Sequence, residues 1–238
     1  MHYQITENKL VRKNAVRFEN IRYCYGDVCA VQNVNFFVPH GKLTALVGPN
    51  GGGKSTIIKL MSGFFKPNEG EIIIEDDSTI GYVAQGFNFD ETFPITVKQV
   101  VLTGTLDKNI RPFRKYTKKQ KQKADKAIEK VGLQGFENRG VNQLSGGQLK
   151  RVIIARALAS DSQILVLDEP DSNLDVEAEK ELYTLLENLK EIKTIVVASH
   201  HIDYILDIAD NAIYVNRTTQ NYNNPKALRE KLKEGMVL

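Results

Sequence analysis

Short, mostly apolar runs recur along this 238-residue chain, at 43–47, 80–84, 164–168 and 194–199. Leu-Thr-Ala-Leu-Val, Ile-Leu-Val-Leu-Asp and Thr-Ile-Val-Val-Ala-Ser are too short for helices and show no alternation. They read as strands covered on both faces, and Ile-Gly-Tyr-Val-Ala reads as another strand, ending at Gln85. Between the runs the period changes. Ile57, Ile58, Leu60 and Met61 share one helical face that Gly63 ends. Residues 117–131 form the clearest helix of a polar, helical stretch running from about 92 to 139. Residues 146–159 predict another, with Leu149, Val152, Ile153 and Leu158 on its apolar side. Leu182, Leu185, Leu186 and Leu189 repeat at i, i+3, i+4, i+7. The first forty residues differ: Val34, Phe36 and Val38 alternate, then Pro39 to Gly41 turn the chain, as in paired strands. Residues 225–234 close the sequence as a short amphipathic stretch.

Strands alternating with helices predict an α/β domain, and polar residues at the strand ends mark where open parallel sheets hold ligands. The run at 43–47 delivers the chain into Gly48-Pro-Asn-Gly-Gly-Gly-Lys-Ser55, and a helix follows. Strand, Gly-rich loop and helix form the context of a phosphate cradle. The glycines let backbone N–H groups converge on oxygens, Lys54 brings charge to the β- and γ-phosphates, and Ser55 offers a hydroxyl to Mg²⁺. Asp168 and Glu169 stand at another strand end. One carboxylate there can hold Mg²⁺, and the second can deprotonate a water aimed at phosphorus. The bland alternative, a cap for the next helix, is disfavoured by Pro170. Gln85 and His200 end two further strands, and His200 is placed to touch the γ-phosphate. Tyr25 either stacks on an adenine ring or packs in the core.

Leu144-Ser-Gly-Gly-Gln148 opens the 146–159 helix. At average residue usage this pentapeptide should occur by chance in well under about one chain in a thousand of this length. Its Gly pair offers backbone N–H groups for the far side of a triphosphate. The motifs, from Tyr25 to His200, closely resemble those of the ATP-binding cassette ATPases. The resemblance implies a P-loop nucleotide hydrolase core with a mainly parallel sheet, an N-terminal antiparallel β subdomain and an inserted helical subdomain. Residues 1–90 and 160–238 would form the core with its β subdomain, and 91–159 the helical part. It implies ATP and Mg²⁺ as cofactors. The nucleotide is expected on Tyr25, Gly48, Pro49, Asn50, Gly51, Gly52, Gly53, Lys54, Ser55 and Thr56. Ser145, Gly146, Gly147, Gln148 and Asp175 would reach it from a second, head-to-tail copy. Glu169, His200 and Gln85 would be catalytic, and Ser55, Gln85 and Asp168 would hold Mg²⁺. His201 stands where the family commonly has Asp, so the assignment of His200 rests on Ser199 and the strand before it. Leu149 and Lys150 also depart from the usual residues, with no catalytic consequence expected.

Phe93-Pro-Ile-Thr-Val97 and the Val-Val-Leu-Thr-Gly run that follows resemble the ATPases of bacterial zinc and manganese importers. That implies polytopic membrane permease subunits as partners and, indirectly, an extracytoplasmic metal-binding protein. Import of another solute, such as an iron chelate, is the nearest alternative. A soluble cassette acting on nucleic acid or the ribosome is the more distant one. The chain lacks the long insertions or second cassette of such proteins, and no nucleic-acid partner is expected.

Bulk properties adjust this picture little. Net charge is +3, yet ten Lys or Arg between Lys108 and Lys130 face only Asp125 and Glu129. A solvated helix face accounts for that excess, with anionic lipid or nucleic acid as alternatives. Phe113 and Tyr116 are its only aromatic residues. Cys24 and Cys29 could form at most one bridge and are expected to be reduced packing residues, which points to the cytosol. The resemblance implies a peripheral place on the inner face of a bacterial membrane, held by the permease. Four scattered histidines and two cysteines give no expected transition-metal cluster. No apolar run approaches a membrane span, and the first residues lack a signal-peptide core.

Overall fold

The computed structural model describes residues 14–75, 78–86, 94–106 and 115–235. Two sheets organise them. The larger has the order β5 (Ile80–Val83), β6 (Ile164–Asp168), β7 (Thr194–Ala198), β3 (Leu43–Val47), β8 (Asn211–Asn216) and β9 (Thr218–Tyr222). All its pairs are parallel except β8–β9, an antiparallel hairpin at the edge. The smaller is antiparallel: β1 (Asn14–Tyr25) lies between β2 (Val28–Pro39) and β4 (Glu69–Ile74).

The period-two geometry of a strand sorts the two layers. Leu46, Val166, Val196 and Ile213 point to one face of the large sheet, where they meet the antiparallel sheet and α1 (Lys54–Met61). Ala45, Leu165, Leu167 and Val197 point to the other and meet the remaining helices. Both faces are therefore dry, which is why these strands read as unbroken apolar runs. In the smaller sheet Phe18 stacks on Phe36 with centroids 4.3 Å apart, filling the space above α1.

On the second face, α2 (Val97–Thr103), α3 (Lys118–Lys130) and α4 (Gly146–Ala159) pack on one another through Val101, Ile128 and Ile153. Each opens with the same device. Thr96, Thr117 and Ser145 accept from the backbone N–H three residues on, while Gln99, Gln120 and Gln148 reach back to the cap. Reciprocal caps of this kind satisfy two orphan donors at once, so these polar helices start at defined residues. Then come α5 (Val176–Lys190), carrying the buried Leu182, Leu185, Leu186 and Leu189, α6 (Ile202–Ile208) and α7 (Pro225–Lys233).

One expectation changes. Cys24 and Cys29 form a disulfide and are not free thiols. They are direct partners in the β1–β2 register, on either side of a turn at Gly26, whose φ is 56°. Spacing alone did not place them opposite each other, because the register of that hairpin is not legible from the sequence. The antiparallel sheet also draws β4 from beyond α1, within the 1–90 stretch. The β4 sequence, Glu-Gly-Glu-Ile-Ile-Ile, alternates poorly because much of it is exposed. Of the basic segment, Lys108, Arg111, Phe113 and Arg114 lie outside the described residues. Within it, Lys123 pairs with Asp161, and Asp125 pairs with Lys98 at 2.7 Å. Among the described residues no helix is long and apolar enough to cross a membrane.

Candidate nucleotide site

The C-terminal ends of β3, β6 and β7 lie side by side, and the chain leaving each one supplies part of a single cleft of about 500 Å³. It is lined by Tyr25, Asn50, Gly51, Gly53, Lys54, Ser55, Thr56, Gln85, Glu169 and His200. Gly48 leaves β3 with φ 151°, where a Cβ would lie 2.0 Å from the Val215 carbonyl oxygen, so only glycine fits. Gly53, at φ 105°, is the N-cap of α1 and makes no side-chain cap bond. The first turn of α1 carries no acidic residue. Its N–H groups thus face the cleft without a carboxylate to satisfy them, the arrangement that binds phosphate. Lys54 folds over the loop and donates to the carbonyls of Gly48 (2.9 Å) and Pro49 (3.0 Å). Burial pushes its pKa down, opposed by the charges of Glu169 and Asp168.

Asp168, at the end of β6, is 2 % exposed and accepts a hydrogen bond from Ser55 Oγ at 3.0 Å. Burial raises its pKa, which the Ser55 bond only partly offsets. A hydroxyl and a buried carboxylate with uncompensated charge suit a hard dication such as Mg²⁺. Glu169 follows with φ 49°, left-handed backbone rare outside glycine, and its N–H donates to the Ala198 carbonyl at 2.9 Å. That bond locks the turn to the end of β7 and aims the carboxylate into the cleft. Gln85 Nε2 donates to Glu169 Oε2, and His200 Nε2 lies 2.6 Å from Oε1. Neither Asp168 nor Glu169 caps the next helix; Asp175 caps α5, accepting from Ala178 N–H at 2.8 Å. His200 lines the cleft while His201 turns away toward Glu179. Tyr25 is 49 % exposed at the cleft mouth, its hydroxyl 3.5 Å from Thr56 Oγ1 and its ring edge-on to Phe65. The core-tyrosine alternative is thereby removed.

The structure does not bring the Leu-Ser-Gly-Gly-Gln element to this cleft within one chain. Ser145 and Gln148 cap α4, Gly146 lines a different groove, and a Cβ on Gly147 would lie 2.8 Å from Ala178 Cβ. Ser145, Gly146 and Asp175 are exposed, open to another molecule. One residue that sequence reasoning passed over joins the two regions. Lys150, on α4, donates to the Gln85 carbonyl at 3.0 Å and lies 3.4 Å from Ser172 Oγ. Burial lowers its pKa, opposed by Asp171 and Glu169. The departure from the family pattern at this position was the available signal.

The sequence profile of the ABC transporter family matches residues 31–172. The manganese transport system ATP-binding protein MntB of Listeria monocytogenes is 39 % identical over 209 residues, 85 % of this chain and 87 % of its own. The zinc uptake system ATP-binding protein ZurA of the same organism is 37 % identical over 216 residues, covering 86 % and 84 %. Among solved structures, a dimeric bacterial ABC transporter cassette superposes with a TM-score of 0.71 at 30 % identity, covering 87 % of this chain and 98 % of that one. The chain belongs to the ABC transporter family. It is a nucleotide-binding ATPase subunit of that family, on the P-loop fold.

Two predictions follow from the geometry. Because burial raises the Asp168 pKa, folding prefers its protonated form, and that contribution to stability is lost as pH rises through the folded-state value. Asp168→Asn should therefore raise the melting temperature measured without nucleotide at neutral pH. The gain should vanish toward the ordinary Asp pKa, while Mg²⁺-dependent hydrolysis is lost; calorimetry across pH and a phosphate-release assay check both. Lys150→Ala should lower kcat about tenfold, or ~1.4 kcal/mol in the barrier. KM for ATP should change little and Lys150→Arg should restore the rate, as steady-state kinetics will read.

Proposed function

We propose that this chain is the energy-coupling subunit of a divalent-metal importer, in which ATP binding and hydrolysis between two copies drive uptake of zinc or manganese through a membrane permease. The observation that carries the metal reading is the similarity, over most of the chain, to relatives named for manganese transport and zinc uptake. The dimeric assembly of a cassette that superposes on this chain supports pairing of two copies. The subunit would sit peripherally on the cytoplasmic face of the membrane, held by its permease. Residues 1–90 and 160–238 would move as the core and 91–159 as the helical part.

Each residue has a physical task in this reading. The N–H groups at the start of α1 and the Lys54 ammonium bind the β- and γ-phosphates, and the ligand's charge favours the protonated amine against the effect of burial. Tyr25 stacks on the base. Ser55, Asp168 and Gln85 hold Mg²⁺, which when bound neutralises phosphate charge. Glu169 is the general base. Its carboxylate is engaged by Gln85 and His200. The γ-phosphate would draw His200 toward itself and free one oxygen to orient and deprotonate water. Ser145, Gly146, Gly147 and Gln148 of the second copy close the far side of the triphosphate with helix N–H donors and hydroxyl, and Asp175 communicates across the interface. Gln85 passes the closure to the helical part, and Lys150, bonded to its backbone, holds that loop to α4.

The reading is tested in the source organism. Deleting the gene should arrest growth in chelator-treated medium, and added zinc or manganese should restore it. Restoration by iron alone, or growth indifferent to every metal, contradicts metal import. Rescue by a plasmid copy of the wild type, but not of Glu169→Gln, ties uptake to hydrolysis.

A further inference from the structure

Behind the catalytic carboxylate lies a second polar cluster, which the roles above do not use. Asp171 and Glu179 are 3 % and 5 % exposed, and His201 reaches them from the start of α6. One ligand atom from each lies within 4.8 Å of the others. Asp171 Oδ2 is held by two hydroxyls, Tyr183 at 2.7 Å and Ser199 at 2.5 Å. Ser199 Oγ also accepts the His201 N–H at 2.9 Å. Glu179 is different. Its buried Oε1 has no hydrogen-bond partner, although His201 Nδ1 stands 2.7 Å away. A carboxylate buried this deeply needs a partner, and His201 Nδ1 is the basic atom the structure sets beside it. Lys150 also feels the charge of Asp171, while its ammonium is bonded to the Gln85 carbonyl.

We propose that Asp171, Glu179 and His201 form a binding site for a divalent transition-metal cation of the zinc class. Two carboxylate oxygens and one imidazole nitrogen, with water in the fourth position, make an acceptable tetrahedral set. The imidazole distinguishes it from an all-oxygen magnesium site. His201 is half exposed and has room to close the donor spacing. Such a site would run against the expectation that four scattered histidines and two cysteines give no transition-metal cluster, because its other ligands are buried carboxylates on α5 and the loop before it.

The site's position gives it a consequence. Asp171 lies two residues beyond Glu169, and His201 adjoins His200. A cation joining them would fix the β6 and β7 ends in their present pairing, with Glu169 held by His200 at 2.6 Å. Hydrolysis would slow when the cation is abundant. That this cation is also the imported one rests on the reading above; binding at the site does not.

The test separates the two. ZnCl₂, MnCl₂ and MgCl₂ are each titrated calorimetrically into the full-length, nucleotide-free, oxidised protein, and into Glu179→Gln and His201→Asn. One Zn²⁺ per chain should bind, at least tenfold more weakly in each variant, with no competition from Mg²⁺. Added Zn²⁺ should slow Mg²⁺-ATP hydrolysis by the wild type and leave Glu179→Gln much less affected. His201→Asn alters a half-exposed side chain, so it decides the matter if Glu179→Gln folds poorly. Absence of Zn²⁺ binding, binding unchanged in both variants, equal displacement by Mg²⁺, or equal inhibition of wild type and Glu179→Gln would each overturn the site. A chain that binds Zn²⁺ as described yet hydrolyses no ATP would contradict the ATPase reading alone.

Discussion

The site depends on the burial of β3 between β7 and β8, with both faces of the sheet dry. Three neighbouring parallel strands must end at the same edge, so every polar residue that follows an apolar run is delivered to one place. Gly48, Glu169 and Ser199 each follow such a strand, and the β6–β7 register pairs Asp168 with Ala198 directly. The close approach of Gly48 to Val215 shows how tightly the phosphate loop is set on β8. The loop is held by packing from below before any ligand arrives.

The second constraint is that, among the described residues, the helix N–H donors facing the cleft come from one wall, the start of α1. The start of α1 faces it without a capping carboxylate, while the start of α4 faces elsewhere with its cap formed internally. A triphosphate bound here would leave one side to solvent unless another surface closed over it. The exposed Ser145, Gly146 and Asp175 have the chemistry of that surface. The Lys150 bridge matters for the same reason: it binds the loop that touches Glu169 to the helix opened by the Leu144–Gln148 signature, so closure on one side would be felt on the other.

Much of this was legible in the sequence because of how these particular residues are buried. The helix at 146–159 was readable to the residue, and the one expected at 117–131 lies at 118–130, since Ser145 and Thr117 carry reciprocal caps that start each helix at a defined point. The strands at 43–47, 164–168 and 194–198 were plain because both faces are covered. What stayed hidden depends on register or on edges. Strand β9, Thr-Thr-Gln-Asn-Tyr, is polar because it is a half-exposed edge, and β4 likewise. The Cys24–Cys29 bridge needed the hairpin register. Lys150 and the Asp171–Glu179–His201 cluster needed tertiary placement, because their members come from separate elements and no spacing links them.

The central claim is that the nucleotide is held jointly by the phosphate loop of one copy and the signature helix of another. Mixing two inactive variants tests it directly. Lys54→Ala spoils the loop and leaves the signature intact; Ser145→Arg does the reverse. Each alone should fail to hydrolyse ATP, and an equimolar mixture should regain activity, because mixed pairs contain one undamaged composite site. If the mixture stays as inactive as its components, or if Ser145→Arg alone hydrolyses ATP at the wild-type rate, the shared site is contradicted.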